Sequence, residues 1–91
     1  MSAVTDIILI VANDDSDNFK AEFGLQRVDK HAGGDKAMQC DVFMSAMNVL
    51  TVEPSDIVAW FHTINLYAPE CAQLLIKEEH EDVFSVYVRC T

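Results

Sequence analysis

The sequence predicts an α+β domain of two layers, in which two helices cover an antiparallel four-stranded sheet made of two hairpins. Two observations carry this prediction. Apolar and polar residues alternate in the first and last thirds of the chain, at the two-residue period of a half-buried strand. Between them, residues 33–66 place apolar residues at the 3.6-residue period of amphipathic helices. The predicted element order is β-β-α-α-β-β, and a chain of 91 residues makes a single globular domain, 1–91.

The first third of the chain is predicted to form a β-hairpin. Residues 7–12 are a continuous apolar run rich in β-branched side chains, which is typical of a strand inside a sheet. Residues 13–18 are all Asn, Asp or Ser and indicate a turn. In residues 19–28 four apolar side chains alternate with polar ones, which favours a second strand. A short helix ended by Gly24 is the alternative, and it would change the order to β-α-β-α-α-β-β.

The middle third is predicted to contain both helices. Residues 29–34, with two glycines, form the linker that precedes them. Asp35 is placed as the N-cap of the first helix, whose broad apolar face continues to Leu50. Pro54 suits the first turn of the second helix.

The last third is predicted to be a second β-hairpin. Residues 72–77 and 84–90 both alternate apolar and polar side chains. The residues between them form an acidic tip around His80, with the carboxylates of Glu78, Glu79, Glu81 and Asp82.

The charge of the chain excludes several classes of partner. It has 15 acidic and six basic residues, for a formal net charge of −9. Nucleic-acid binding normally needs clusters of Lys and Arg that displace counterions from phosphates, and the sequence has no such cluster. An anionic membrane surface is disfavoured for the same reason. We therefore expect no direct contact with nucleic acid or membrane.

Cysteine usage and hydropathy predict a soluble cytoplasmic protein. Cys40, Cys71 and Cys90 are odd in number and lack C-x-x-C spacing, which favours reduced thiols. The N-terminal apolar run lacks a basic flank and is too short for a signal peptide or a membrane span. The mean hydropathy of +0.12 is high for a small soluble domain, so a second copy or a partner is expected to cover some apolar surface.

No stretch of the sequence predicts a metal or a cofactor. Residues 13–18 space carboxylates as Ca²⁺ loops do, but Gly24 stands where a bidentate Glu belongs. His80 has no second His or thiolate at ligand spacing. Residues 33–36 lead into a predicted helix but lack the P-loop pattern.

No catalytic residue is predicted either. A nucleophilic thiolate needs an imidazole base oriented by a third group. Asp56, His62 and Cys71 are of the required types, but nothing in their spacing enforces that geometry. We therefore expect a protein that is not an enzyme.

The remaining candidates are residues that contact a protein partner. Trp and Tyr are enriched at the energetic centres of interfaces. Trp60 and Phe61 are assigned to the core, whereas Tyr67 follows the second helix and Tyr87 is predicted to point outward from its strand. The predicted partner-binding residues are Asp14, Asp15, Asp17, Glu78, Glu79, Glu81, Asp82, Tyr67 and Tyr87.

The function hypothesis that follows is a small acidic interaction domain that binds a basic surface of a protein partner. Its sharper form is a nucleic-acid mimic that inhibits the owner of a cationic groove. The anti-restriction and anti-CRISPR proteins of phages include such mimics, and the likeness is one of size and charge. The alternative is a homo-oligomeric structural or accessory domain without catalytic activity, such as a homodimer joined through edge strands or the helical layer.

Overall fold

A computed structural model describes residues 4–28, 40–48 and 53–89, and in these ranges it shows five strands and one α-helix. The strands form one antiparallel sheet in the order β2-β3-β1-β4-β5. The elements are β1 (Val4–Ala12), β2 (Gln26–Arg27), β3 (Cys40–Asn48), α1 (Pro54–Phe61), β4 (Gln73–Glu78) and β5 (Ser85–Val88), with short 3-10 turns at Asn13–Asp15 and Pro69–Cys71.

Strand β1 is the centre of the sheet. It pairs with β3 along its whole length, from Val4 opposite Asn48 to Ala12 opposite Cys40. On its other side it pairs with β4. The apolar run of β1 therefore occupies the position that the sequence predicts, inside a sheet with a neighbour on each edge.

The core lies on one side of the sheet, which we call the covered face. Ile7, Leu9 and Leu74 point to it and are fully buried. Helix α1 packs there through Ile57 and Phe61, also fully buried. The opposite side of the sheet is called the open face below.

Aromatic contacts fix the segment between β1 and β2 over the covered face. The rings of Phe19 and Phe43 lie 5.3 Å apart between centroids. Trp60 of α1 contacts Phe19 at 6.0 Å and Phe23 at 5.6 Å, both edge-on. Such pairs contribute about 0.5–1.5 kcal/mol beyond their buried area. Trp60 thus packs against the core, as the sequence predicts.

The four-stranded sheet covered by two helices is wrong, because residues 40–48 of the first predicted helix form strand β3. Val42 and Met44 alternate along this stretch with Phe43 and Ser45, so it fits the two-residue period as well as the helical one. Pairing with β1 decides between them, because context outweighs weak local preference. The predicted linker, the start of that helix and residues 49–52 lie outside the described residues.

The predicted N-terminal hairpin is also wrong, and so is its helical alternative. Residues 19–25 form no regular element, and β2 is two residues long and pairs with β3 instead of β1. Phe23 and Gly24 both have positive φ, at 57° and 73°, and the N–H of Leu25 donates to the carbonyl of Glu22 at 3.0 Å. This tight turn breaks the alternation that suggested a long strand.

The predicted second helix and second hairpin are confirmed as α1 and as β4 with β5. Helix α1 begins at Pro54. Proline has no backbone N–H, and the N–H groups of the first helical turn have no acceptor within the helix, so proline is tolerated at this position. In the part of the chain that the structure describes, no helix is long and apolar enough to cross a membrane.

Candidate protein-binding site

The two predicted acidic clusters lie at opposite ends of β1. Residues 13–18 directly follow Ala12, the last residue of the strand. The tip between β4 and β5 lies at the other end, because Glu78 is opposite Thr5. The eight steps of about 3.3 Å from Val4 to Ala12 separate them by roughly 26 Å. The acids of the loop and those of the tip therefore form two separate surfaces.

Asp15 is the fixed point of the first surface. Its side chain is fully buried, and its carboxylate accepts hydrogen bonds from the backbone N–H groups of Tyr67 at 2.6 Å and Ala68 at 3.0 Å. Asn18 donates a third through Nδ2, at 2.8 Å. Of the predicted partner-binding acids, Asp15 therefore holds two chain segments together and is not available at the surface.

The environment of Asp15 favours the ionised carboxylate. Burial raises its pKa, but the hydrogen bonds from Tyr67 and Ala68, the bond from Asn18 and the nearby charge of Arg89 outweigh burial. The net result is a pKa for Asp15 below its ordinary value of 3.8. The carboxylate is thus ionised at neutral pH, which is the form that accepts all three hydrogen bonds.

An exposed tyrosine stands beside this anchor. Tyr67 is 80% exposed, although its backbone is held by Asp15. Asp14 and Asp17, on the same loop as Asp15, are exposed, and so is Glu70, which follows Ala68 by two residues. We call Asp14, Asp17, Tyr67 and Glu70 the acidic end. It combines an aromatic side chain in solvent with three carboxylates on segments that Asp15 joins.

Two members of this region were missed by sequence reasoning. The sequence pattern singles out neither Glu70, which follows the second predicted helix, nor Asp41, which falls within the first predicted helix. In the structure the carboxylate of Asp41 accepts hydrogen bonds from Ser16 Oγ and from Asn13 Nδ2, the latter at 3.2 Å, and lies 3.9 Å from the guanidinium of Arg27. Asp41, on β3, therefore holds the loop of residues 13–18 in place. This role depends on the pairing of β3 with β1 and cannot be read from the sequence alone.

The second surface is the hairpin tip, residues 78–84. Glu79 and Asp82 are exposed, whereas Glu78 and Glu81 are half-buried. The N–H of Glu78 donates to Glu81 Oε1 at 2.9 Å, so part of the negative charge of the tip stabilises its own turn. Glu78, His80 and Glu81 bring potential metal ligands within 4.8 Å of one another, but this proximity alone does not assign a metal.

Tyr87 does not point outward as predicted. It lies opposite Leu74 on the covered face and packs against the core. Its neighbours Val86 and Val88 point to the open face instead and are 58% and 52% exposed. Side chains of a strand alternate between the two faces of the sheet. The prediction that Tyr87 points outward therefore assigns every side chain of β5 to the wrong face.

Comparisons with known proteins leave the family open. No family model, no curated protein and no solved structure matches this chain. The proposals below therefore rest on the contacts, burial and charges of its own residues.

Proposed function

We propose that the protein is a small acidic interaction domain, and that its acidic end binds a basic surface of a protein partner. The observation that carries this proposal is the position of Tyr67. Its side chain is 80% exposed, while the buried carboxylate of Asp15 holds its backbone in place.

A tyrosine held in this way suits a binding role because its backbone is ordered before the partner arrives. Interfaces depend on a few aromatic or Arg anchors, each of which contributes about 2 kcal/mol or more. Ordering a loop on binding opposes affinity, so a preformed anchor retains more of its interaction energy. Asp15 joins the loop after β1 to the segment of Tyr67 and supplies that order.

The charge of the acidic end determines the kind of partner. Asp14, Asp17 and Glu70 are exposed on the two segments that Asp15 joins, one of which carries the tyrosine, and the whole chain carries a formal net charge of −9. A cationic surface is attracted over several ångströms and associates faster, whereas an acidic surface is repelled. Such attraction weakens as salt shortens the screening length.

In its sharper form the proposal is a nucleic-acid mimic. A groove that binds phosphates presents Lys and Arg side chains, and carboxylates on a small rigid protein can occupy the same positions. Inhibition of the partner would follow because protein and nucleic acid compete for one groove. Added duplex DNA or RNA should then release this protein from the partner.

Two variants of equal charge test which surface binds. We would capture partners from cells of the native host with the tagged chain, purify the partner that is retained, and titrate it by calorimetry. Asp14→Asn with Asp17→Asn should raise the Kd at least about tenfold, as should Tyr67→Ala. Glu79→Gln with Asp82→Asn changes the net charge equally but lies at the hairpin tip, and should alter the Kd less than about threefold.

Equal weakening by both double variants would show that net charge alone governs binding, which contradicts a localised site. A Kd that stays constant between about 50 and about 300 mM salt would contradict the electrostatic proposal altogether. Failure of nucleic acid to compete would remove the mimic and leave the interaction domain standing.

A further inference from the structure

The open face of the sheet is as apolar as the covered one. Its central row crosses four strands, because Val86 lies opposite Leu75, Leu75 opposite Ile8, and Ile8 opposite Met44. The next row contains Val88, the exposed Gln73, Ile10 and Val42. Met44, Val86 and Val88 are 49%, 58% and 52% exposed.

No described element packs on this face. Helix α1 and the aromatic side chains of residues 19–23 all join the core on the covered face. Asp6, Ile8, Met44, Ala46 and Phe84 are among the residues that line a groove of about 390 Å³ on the open face, together with Ile7 and Ser45 of the same strands. A contiguous apolar surface of this kind is typical of an interaction site.

The open face also differs in charge from the rest of the chain. Its strand residues include one acid and one base, Asp6 and Lys77, which lie opposite each other with Oδ2 and Nζ 4.0 Å apart. The face therefore contributes nothing to the formal net charge of −9. A basic partner of the kind proposed for the acidic end would find no attraction here.

We propose that the occupant of the open face is a second copy of this chain, packed sheet against sheet. A second copy presents the same apolar rows and the same balanced pair, so the surface is complementary to itself about a two-fold axis. The inward sides of two such sheets pack about 10 Å apart, as in a β-sandwich. The acidic residues elsewhere then remain in solvent.

The area of the face is sufficient for a specific but modest interface. Five strands about 4.8 Å apart, with an average length of about six residues at about 3.3 Å each, give roughly 500 Å² per copy. A biological interface is expected to bury at least about 1,000 Å² in total, which two such faces reach. We therefore expect a dimer that dissociates on dilution.

Sedimentation equilibrium of the full chain tests the proposal. From about 1 to about 500 µM the wild type should pass from one chain mass to twice that mass, and added salt should not weaken the dimer. Val86→Lys should weaken dimerisation at least about tenfold, because it buries a charge at the centre of the interface. Val83→Lys is the matched control: Val83 is 73% exposed at the hairpin tip, and its replacement should leave the mass unchanged.

Met44→Lys provides a second variant on the open face should Val86→Lys fail to fold by circular dichroism. A wild type that stays monomeric over the whole range overturns the proposal. So does a dimer that persists in the folded Lys variants, because it must use another surface. Weakening by Val83→Lys to the same extent as by Val86→Lys would also overturn it.

Discussion

The two faces of the sheet are built from the same strands and have opposite surroundings. Along β1, Ile7 and Leu9 are fully buried beneath α1, whereas Ile8 and Ile10, which alternate with them, are half-buried on the open face. Both faces are apolar, so strand composition does not decide which one becomes the core. The connections decide it, because the helix and the aromatic loop pack on the same side. The difference shows that an apolar strand pattern specifies a sheet without specifying how many layers cover it.

The largest test of this comparison replaces neighbouring isoleucines of β1. Ile7→Ala should lower the free energy of unfolding by about 3–4 kcal/mol, because it leaves a cavity in the packed core. Ile8→Ala should cost about 1 kcal/mol in the monomer, since its surroundings are not closed. Urea denaturation at a protein concentration below the dimer range measures both. Similar losses for the two variants would mean that the faces are equally enclosed.

A second test asks how far the covered side depends on one buried carboxylate. Asp15→Ala should lower the free energy of unfolding by about 2–3 kcal/mol, because the N–H groups of Tyr67 and Ala68 lose their acceptor. Asp14→Ala, at an exposed neighbour, should stay within about 0.5 kcal/mol of the wild type. Thermal unfolding by circular dichroism compares them, and a neutral Asp15→Ala would remove the anchor role.

The ionisation of Asp15 makes the stability difference between wild type and Asp15→Ala depend on pH. Because the pKa of folded Asp15 lies below its ordinary value of 3.8, its ionisation contributes stability fully above that value. The contribution is lost as the pH falls through the lower, folded pKa. The stability difference between wild type and Asp15→Ala should therefore be constant from about pH 5 to 7 and shrink below about pH 4. A difference that grows on acidification would have the wrong sign.

A third test concerns the tight turn that brings the aromatic loop over the covered face. Gly24 has φ of +73°, and an added Cβ would lie 3.0 Å from Ser45 Oγ, which donates to the carbonyl of Phe23 at 2.7 Å. Gly24→Ala should therefore cost about 1–2 kcal/mol. Glu22→Ala, exposed in the same segment, serves as control. Chemical denaturation that finds no difference between the two would show that the turn relaxes freely.

The smallest predicted effect is a gain in stability. Thr5 lies on the covered face with 1% exposure, and within the described residues its hydroxyl has no hydrogen-bond partner. Thr5→Val keeps the shape and removes the unbonded hydroxyl, so the free energy of unfolding should rise by about 0.5–1 kcal/mol. Ser45→Ala removes a hydroxyl that is bonded and should lower it by about 1 kcal/mol. If Thr5→Val instead lowered the free energy of unfolding, the Thr5 hydroxyl would have to make a stabilising hydrogen bond.

Local patterns predicted the elements that are distinctive in themselves. Strand β1, helix α1 and the hairpin of β4 and β5 follow from a β-branched run, a proline at a helix start and alternation around an acidic tip. Strand β3 could not be predicted, because residues 40–48 satisfy both periods and their structure depends on pairing with β1, which is 28 or more residues distant in sequence. Long-range pairing of this kind is set by tertiary context.

The candidate site also has features that the sequence predicts and features that depend on contacts between distant residues. Composition predicted exposed acids, and Asp14, Asp17, Glu79 and Asp82 are indeed exposed. Whether they act in binding remains a prediction. The burial of Asp15 was not predictable, because it depends on two N–H groups more than 50 residues away. The open face was hidden for a similar reason: with residues 40–48 read as a helix, the sheet lacked β3 and two helices were expected to cover it.

The two edges of the sheet are short, since β2 has two residues and β5 has four. An edge strand exposes unpaired N–H and C=O groups that can recruit further strands and lead to fibrils. Here the terminal strands themselves offer few of these groups in a row, although β2 pairs with only Phe43 and Met44 of β3. In the dimer proposed above, the shortness of β2 and β5 favours a closed pair of chains over open-ended growth.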